Sequence, residues 1–187
     1  MTALALAAGA FVAMEAVSYL AHRFLMHGVG MVWHRSHHVP TGDRCERNDL
    51  FPLCFSAVGV AVFAVATTGP AVAPLFWVGV GITAYGALYL FVHEVYIHER
   101  LPVRLPRLAY LAWLREAHRV HHRFGGEPYG MLLPLVSREL RSRAAAGGVD
   151  PLARESRAGR SAGGASGGGG DVRAARRRST RDARIRL

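Results

Sequence analysis

Residues 22–38 read His-Arg-Phe-Leu-Met-His-Gly-Val-Gly-Met-Val-Trp-His-Arg-Ser-His-His, and this stretch holds five of the chain's ten histidines. His22 and His27 form an HX4H pair, and His34, His37 and His38 form an HX2HH triplet. The other five repeat the pattern: His93 and His98 are a second HX4H pair, His118, His121 and His122 a second HX2HH triplet, and no histidine lies outside the four motifs. One such pair alone is a weak signal, because packed polar histidines are common. All four in this order read as a metal centre.

Outward from this stretch the chain is apolar. Three segments, 2–21, 50–68 and 71–92, each approach the roughly 20 residues that a helix needs to cross a bilayer. The second and third of them carry no charged residue, whereas a buried helix of a soluble protein usually keeps a polar stripe. The expected fold is therefore an all-α integral membrane helical bundle of three or four spans, three being the number the apolar segments support, with a cytoplasmic histidine-rich cap. Residues 1–140 are expected to form the membrane domain. The 187-residue chain has a net charge of +10, and its 23 basic residues are all arginine. Residues 1–140 hold 11 Arg against 9 acids (+2) and residues 141–187 hold 12 against 4 (+8), so the basicity belongs mainly to the tail. That Arg- and Gly-rich tail, 141–187, has the composition of a disordered, headgroup-seeking segment rather than of a nucleic-acid binder. Cys45 and Cys54 form no disulfide framework or paired-thiol metal site. The first segment lacks the positive n-region of a signal peptide, because no Arg precedes Arg23, and is expected to be a signal-anchor span.

Arginine placement orients the bundle. Arg23, Arg35, Arg44 and Arg47 follow the first span, and Arg100, Arg104, Arg107, Arg115, Arg119 and Arg123 follow the third, while the turn Thr67-Thr68-Gly69-Pro70 is uncharged. The N-terminus is then expected on the outer side of the membrane, with both histidine clusters and the C-terminus on the cytoplasmic side. Each half is a span running into an HX4H pair and then, after a connector, an HX2HH triplet. Gly28 and Gly30 suit a turn in the first connector, and Pro106 is placed to open a helix running through Ala109 to His122. On that helix Leu111, Leu114, His118, His121 and His122 share one side and Arg107, Arg115 and Arg119 lie largely on the other, as in a helix lying along the membrane surface. Glu15 is an ionisable group inside a span, a functional hypothesis by default. It lies two turns before His22 on the same face, as a partner of a histidine would.

On an α-helix, positions i, i+3 and i+4 fall within about 100° of one another, so HX2HH turns three imidazoles to one face. Positions i and i+5 are about 140° apart, so an HX4H pair on a regular helix either straddles two ions or sits where the helix bends. Ten imidazoles exceed the ligands of one ion, and two ions fit better. Imidazole by itself does not choose among zinc, copper, iron and nickel.

The words around the histidines narrow this. His22-Arg23-Phe24-Leu25-Met26-His27-Gly28, Trp33-His34-Arg35-Ser36-His37-His38, Glu46 with Asn48-Asp49-Leu50, Thr83-Ala84-Tyr85-Gly86 leading through Tyr89 to His93, and Ala117-His118-Arg119-Val120-His121-His122 resemble the bacterial beta-carotene 3-hydroxylases, within the fatty-acid hydroxylase and sterol desaturase superfamily of histidine-rich membrane di-iron enzymes. The resemblance runs from Met14 to Pro134. It departs in the second pair, His93-Glu94-Val95-Tyr96-Ile97-His98, where Asp-Gly is expected after the first histidine. It departs again at Tyr129-Gly130-Met131-Leu132-Leu133-Pro134, which approximates a usual Phe-Gly-Phe-Leu segment.

The resemblance implies two iron ions held by the ten histidines and O2-dependent hydroxylation of each beta-ionone ring at C3, giving beta-cryptoxanthin and then zeaxanthin. Electrons come from a reduced ferredoxin or a similar NAD(P)H-linked carrier, since the chain has neither a nucleotide fingerprint nor a cysteine set for an iron–sulfur cluster. The substrate, a hydrocarbon, reaches the metals from the bilayer. Asn48 and Asp49 are candidates for contact either with a metal-bound histidine or with the substrate, and Tyr85, Tyr89 and Phe91 are candidates for contact with the ring. The rivals are another superfamily oxidase acting on a fatty acyl chain, a sterol or a carotenoid as ketolase, and, in a different class, a membrane metal-binding or transport protein. A transporter would line a pathway with ligands, whereas these cluster at the span ends.

Overall fold

A computed structural model describes residues 2–39, 45–103, 105, 106 and 108–147. Arg44, Arg104 and Arg107, and the tail from residue 148, lie outside the described residues. All regular structure among those described is helical. Helix α1 is Thr2–Leu20, α2 Met31–His38, α3 Leu50–Ala66, α4 Leu75–Leu90, α5 Ala109–Phe124 and α6 Arg138–Ala145. Two π-helical segments, Ala21–Val29 and Phe91–Ile97, extend α1 and α4, and a 3₁₀ turn, Arg47–Asp49, precedes α3.

Three helices are long and apolar enough to cross a membrane: Thr2–Val29, Arg47–Ala66 and Leu75–Ile97. Their outward faces keep side chains such as Leu4, Val12, Leu53 and Val60 exposed, which only a lipid environment tolerates in such numbers. The second span ends at Ala66 and the third begins at Leu75, inside the expected limits. Thr67 and Thr68 turn their hydroxyls back onto the carbonyls of Ala64 and Val65, and residues 70–74, bounded by Pro70 and Pro74, form turns. Helix α4 packs against both α1 and α3. Its approach to α1 depends on Gly81, where a Cβ would run into the Ala7 carbonyl and lie 2.8 Å from Ala10 Cβ, the small-residue contact that membrane helices use.

At one end of this bundle α1 ends, α3 begins and α4 ends, and there α2 and α5 close over it. Helix α5 begins at Ala109, three residues after Pro106, because Leu108 is extended (ψ 134°) and its carbonyl accepts from Ala112. It ends at Gly125, which takes the left-handed conformation (φ 65°). As expected, Leu114, His118 and His121 are buried and Arg119 is exposed. Arg115, placed on the outer side from sequence, is instead half-buried: it donates to the Tyr96 carbonyl and pairs with Glu99 at 3.0 Å. Helix α6, capped by the Ser137 hydroxyl accepting from the Leu140 amide, continues through Ala145 and so enters the stretch expected to be unstructured.

Candidate metal centre

Both HX4H pairs occur where a spanning helix loosens into π geometry. A π-helix bonds residues five apart rather than four. The His98 amide donates to the His93 carbonyl at 3.0 Å, and the Gly30 amide to the Leu25 carbonyl at 2.7 Å. Residues at i and i+5 are thereby brought to one side, so His22 and His27 face one point, and His93 and His98 another. The helix then breaks at Gly28 (φ −100°, ψ −120°), and the chain turns through Gly30 into α2. A Cβ there would lie 2.7 Å from both the Leu25 carbonyl and Phe51 Cζ, so the turn into α2 needs glycine.

The histidines converge as two tetrads. His22, His27, His34 and His121 form one and His37, His93, His98 and His118 the other, and within each the ligand nitrogens lie within 4.8 Å of one another. Each half supplies three members of its own tetrad and lends the central histidine of its HX2HH triplet, His37 or His121, to the other. His38 and His122 lie between the tetrads with ring centroids 4.5 Å apart. His122 Nε2 is 3.1 Å from His37 Nε2 and 2.9 Å from His118 Nε2, while the His38 ring adjoins His34 and His121 at 4.9 Å each. Eight of the ten histidines thus fall in two groups, and His38 and His122 stand between them.

The donor chemistry fits a cation. In the first tetrad His22 Nδ1 donates to the Tyr129 carbonyl (3.0 Å), His34 Nδ1 to Asn48 Oδ1 (2.8 Å) and His121 Nδ1 to the Gly126 carbonyl (2.5 Å). A neutral imidazole with its proton on Nδ1 presents a bare lone pair at Nε2. His22 Nε2 and His34 Nε2 nevertheless face each other at 3.3 Å, an arrangement that repels unless a cation lies between the lone pairs. In the second tetrad the outward nitrogens meet carboxylates: His93 Nδ1 bonds Glu94 at 2.7 Å and His37 Nδ1 bonds Glu46 at 3.4 Å. Burial, reinforced by neighbouring imidazoles, holds seven of the rings neutral. It lowers His34 to about 4 and His38 and His98 to about 3, and holds His37, His118, His121 and His122 well below the ordinary value. Neutral imidazole is the form that ligates metal.

Of the other expected residues, Asn48 backs His34 directly. Asp49 touches no histidine: it pairs with Arg100 at 2.7 and 3.0 Å and accepts from the Glu46 amide at 2.9 Å. Arg100 in turn holds Glu94 at 2.8 Å, so Asp49 acts on His93 through two intermediaries. Glu15 does not bond a histidine either. Its carboxylate accepts from the amides of Met131, Leu132 and Leu133 at 2.9–3.1 Å and from the Tyr85 hydroxyl at 2.7 Å. It anchors the segment after α5, whose Gly126 and Tyr129 carbonyls orient His121 and His22. Glu46, Glu94, Arg100, Gly126 and Tyr129 were not singled out as site residues from sequence. The two acids stood out only in the words around the histidines, and the backbone carbonyls carry no sequence signal.

A cavity of about 580 Å³ lies among α1, α3 and α4, lined by apolar side chains with Asn48 and Tyr89 toward the histidines. Tyr85 and Tyr89 line it, and the Tyr89 ring stacks on His93 at 5.3 Å. Phe91 lies outside this lining and is 40% exposed. The lining residues that α3 supplies, Phe51 to Phe63, extend over about 18 Å of its axis.

Comparison with known proteins follows the same residues. Beta-carotene hydroxylase of Pseudescherichia vulneris is 47% identical over 116 residues, covering 62% of this chain and 65% of that protein. Beta-carotene hydroxylase of Pantoea ananas is 44% identical over 117 residues, covering 62% and 66%. Beta-carotene hydroxylase of Paracoccus sp. (strain PC1) is 35% identical over 131 residues, covering 69% and 80%. The chain thus spans just under two thirds of the length of the first two relatives. No solved structure matches. The family model described as "Fatty acid hydroxylase" matches residues 7–141, a stretch that contains both tetrads, the second and third apolar helices and all but the first residues of the first, and the chain belongs to that family.

Proposed function

We propose that the protein is a di-iron, O2-dependent hydroxylase that oxidises the beta-ionone rings of beta-carotene at C3, giving beta-cryptoxanthin and zeaxanthin. The observation that carries this reading is the apolar cavity ending at two buried histidine tetrads, in a chain 35–47% identical to beta-carotene hydroxylases. The ten histidines hold the ions. Bound iron supplies the redox chemistry by which one oxygen atom of O2 enters the C3–H bond and the other leaves as water, with two electrons and two protons consumed per ring. The electrons come from reduced ferredoxin or a similar carrier. The apolar lining of the cavity disfavours water, and Tyr85 and Tyr89 orient a ring toward Asn48 and the histidines. Arginine placement puts the site and C-terminus on the cytoplasmic side and the N-terminus outside.

Expression in a bacterial host that accumulates beta-carotene tests the reading. Conversion to zeaxanthin is expected by chromatography, and unchanged beta-carotene in well-expressing cells overturns it. Canthaxanthin or echinenone would identify a ketolase instead. His37→Ala or His121→Ala is expected to abolish oxidation and lower iron per protein.

A further inference from the structure

The two tetrads are alike in their ligands and unlike in what stands behind them. In the first, the three outward nitrogens with a partner at hydrogen-bond distance all meet neutral oxygens, those of Tyr129, Asn48 and Gly126. In the second, the corresponding nitrogens of His93 and His37 meet the carboxylates of Glu94 and Glu46. Both pairs are protected from solvent, the histidine side chains being 4% and 3% exposed and each glutamate 16%. Such burial strengthens a charge–imidazole interaction relative to water. Among the described residues Asp49 and Glu94 both pair with Arg100, and the Glu46 amide donates to Asp49, so that three carboxylates gather behind this tetrad. On the side of the first tetrad, among the described residues, Arg23 and Glu127 pair at 3.2 Å in a balanced, solvent-exposed contact, and the Glu15 carboxylate accepts from three amides.

A carboxylate accepting the Nδ1 proton draws that proton away and makes Nε2 a stronger donor, and the negative charge itself attracts a cation. A neutral carbonyl fixes the ring without adding charge. From this asymmetry we infer that the two metal sites are unequal, and that the His37/His93/His98/His118 site binds its ion more tightly and fills first. The inference rests on the metal reading above and adds an order of loading to it. The expected ratio is about 10- to 100-fold, the range by which partners of a metal-bound histidine change affinity.

The test is a titration of the purified, metal-stripped full-length chain in detergent with Co(II) against a competing chelator, followed by the visible absorption of the bound ion. Two resolved steps are expected. Glu94→Gln and Glu46→Gln should each weaken the tighter step by about tenfold or more and leave the other unchanged. Asn48→Asp, which places a carboxylate behind His34, should tighten the weaker step, a gain that damage to the fold cannot produce. Two ions bound with equal affinity would overturn the inference while sustaining the metal reading, as would glutamine variants that weaken the looser step. A chain that takes up no cobalt would overturn both.

Discussion

At the scale of single residues, the site is governed by groups that are costly where they stand. Glu15 lies within an apolar helix and is stabilised by three backbone amides and one phenol. Glu15→Leu removes a shared acceptor and strands those donors, so thermal unfolding in detergent should show a loss of roughly 2–5 kcal/mol. Tyr85→Phe removes one bond and should cost about 1 kcal/mol. An equal loss in the two variants would mean that the amides are not held by Glu15. The histidines outside the spans give a pH dependence of definite sign. Their folded values lie below the unfolded value near 6.5, so as pH falls below about 6.5 the unfolded chain takes up protons that the folded chain refuses. The metal-free protein should therefore lose stability progressively from pH 6.5 toward pH 4, near which His34 itself begins to protonate, and show no such dependence above pH 7. Midpoints measured across that range check it.

At the scale of elements, two π-helical extensions and one glycine turn bring the pairs and triplets together. The HX4H spacing was legible as a pattern, and its misfit to an α-helix was legible too. Whether each pair straddled two ions or sat on a bend was not, because that depends on which backbone bonds form at the span end. The structure answers with bonds between residues five apart, and both members of each pair lie in one tetrad. The turn at Gly30 is the point most exposed to substitution. Gly30→Ala forces a methyl against the Leu25 carbonyl and the Phe51 ring. It should destabilise by about 1–3 kcal/mol and lower metal content, because His34, His37 and His38 all ride on α2. Full metal occupancy with wild-type stability would contradict this account of the turn.

At the scale of the molecule, the cavity and the tetrads are separate structures that meet at Asn48 and Tyr89. Blocking one should spare the other. Gly59 lines the cavity on α3 and has room beside it, with Thr83 Oγ1 at 3.9 Å from the position of an added Cβ. Gly59→Phe should fill part of the cavity, cut carotenoid conversion by tenfold or more, and leave metal per protein unchanged. Loss of metal in that variant would show that cavity and centre are not independent.

The three apolar segments and the ten-histidine pattern determined the helical membrane class and marked the candidate metal ligands, because length, hydropathy and ligand count are local properties that no packing arrangement can reverse. Family membership was also legible, through the words around the histidines. Only the tertiary structure decided which histidines share a site, since His37 and His121 leave their own halves for the opposite tetrad. It also decided that Glu15 holds a backbone segment instead of a histidine, and that carboxylates stand behind one tetrad and carbonyls behind the other. Those facts depend on contacts between residues as far apart as Glu15 and Leu133 or Asp49 and Arg100. The chain's order does not encode such distances except through the fold itself.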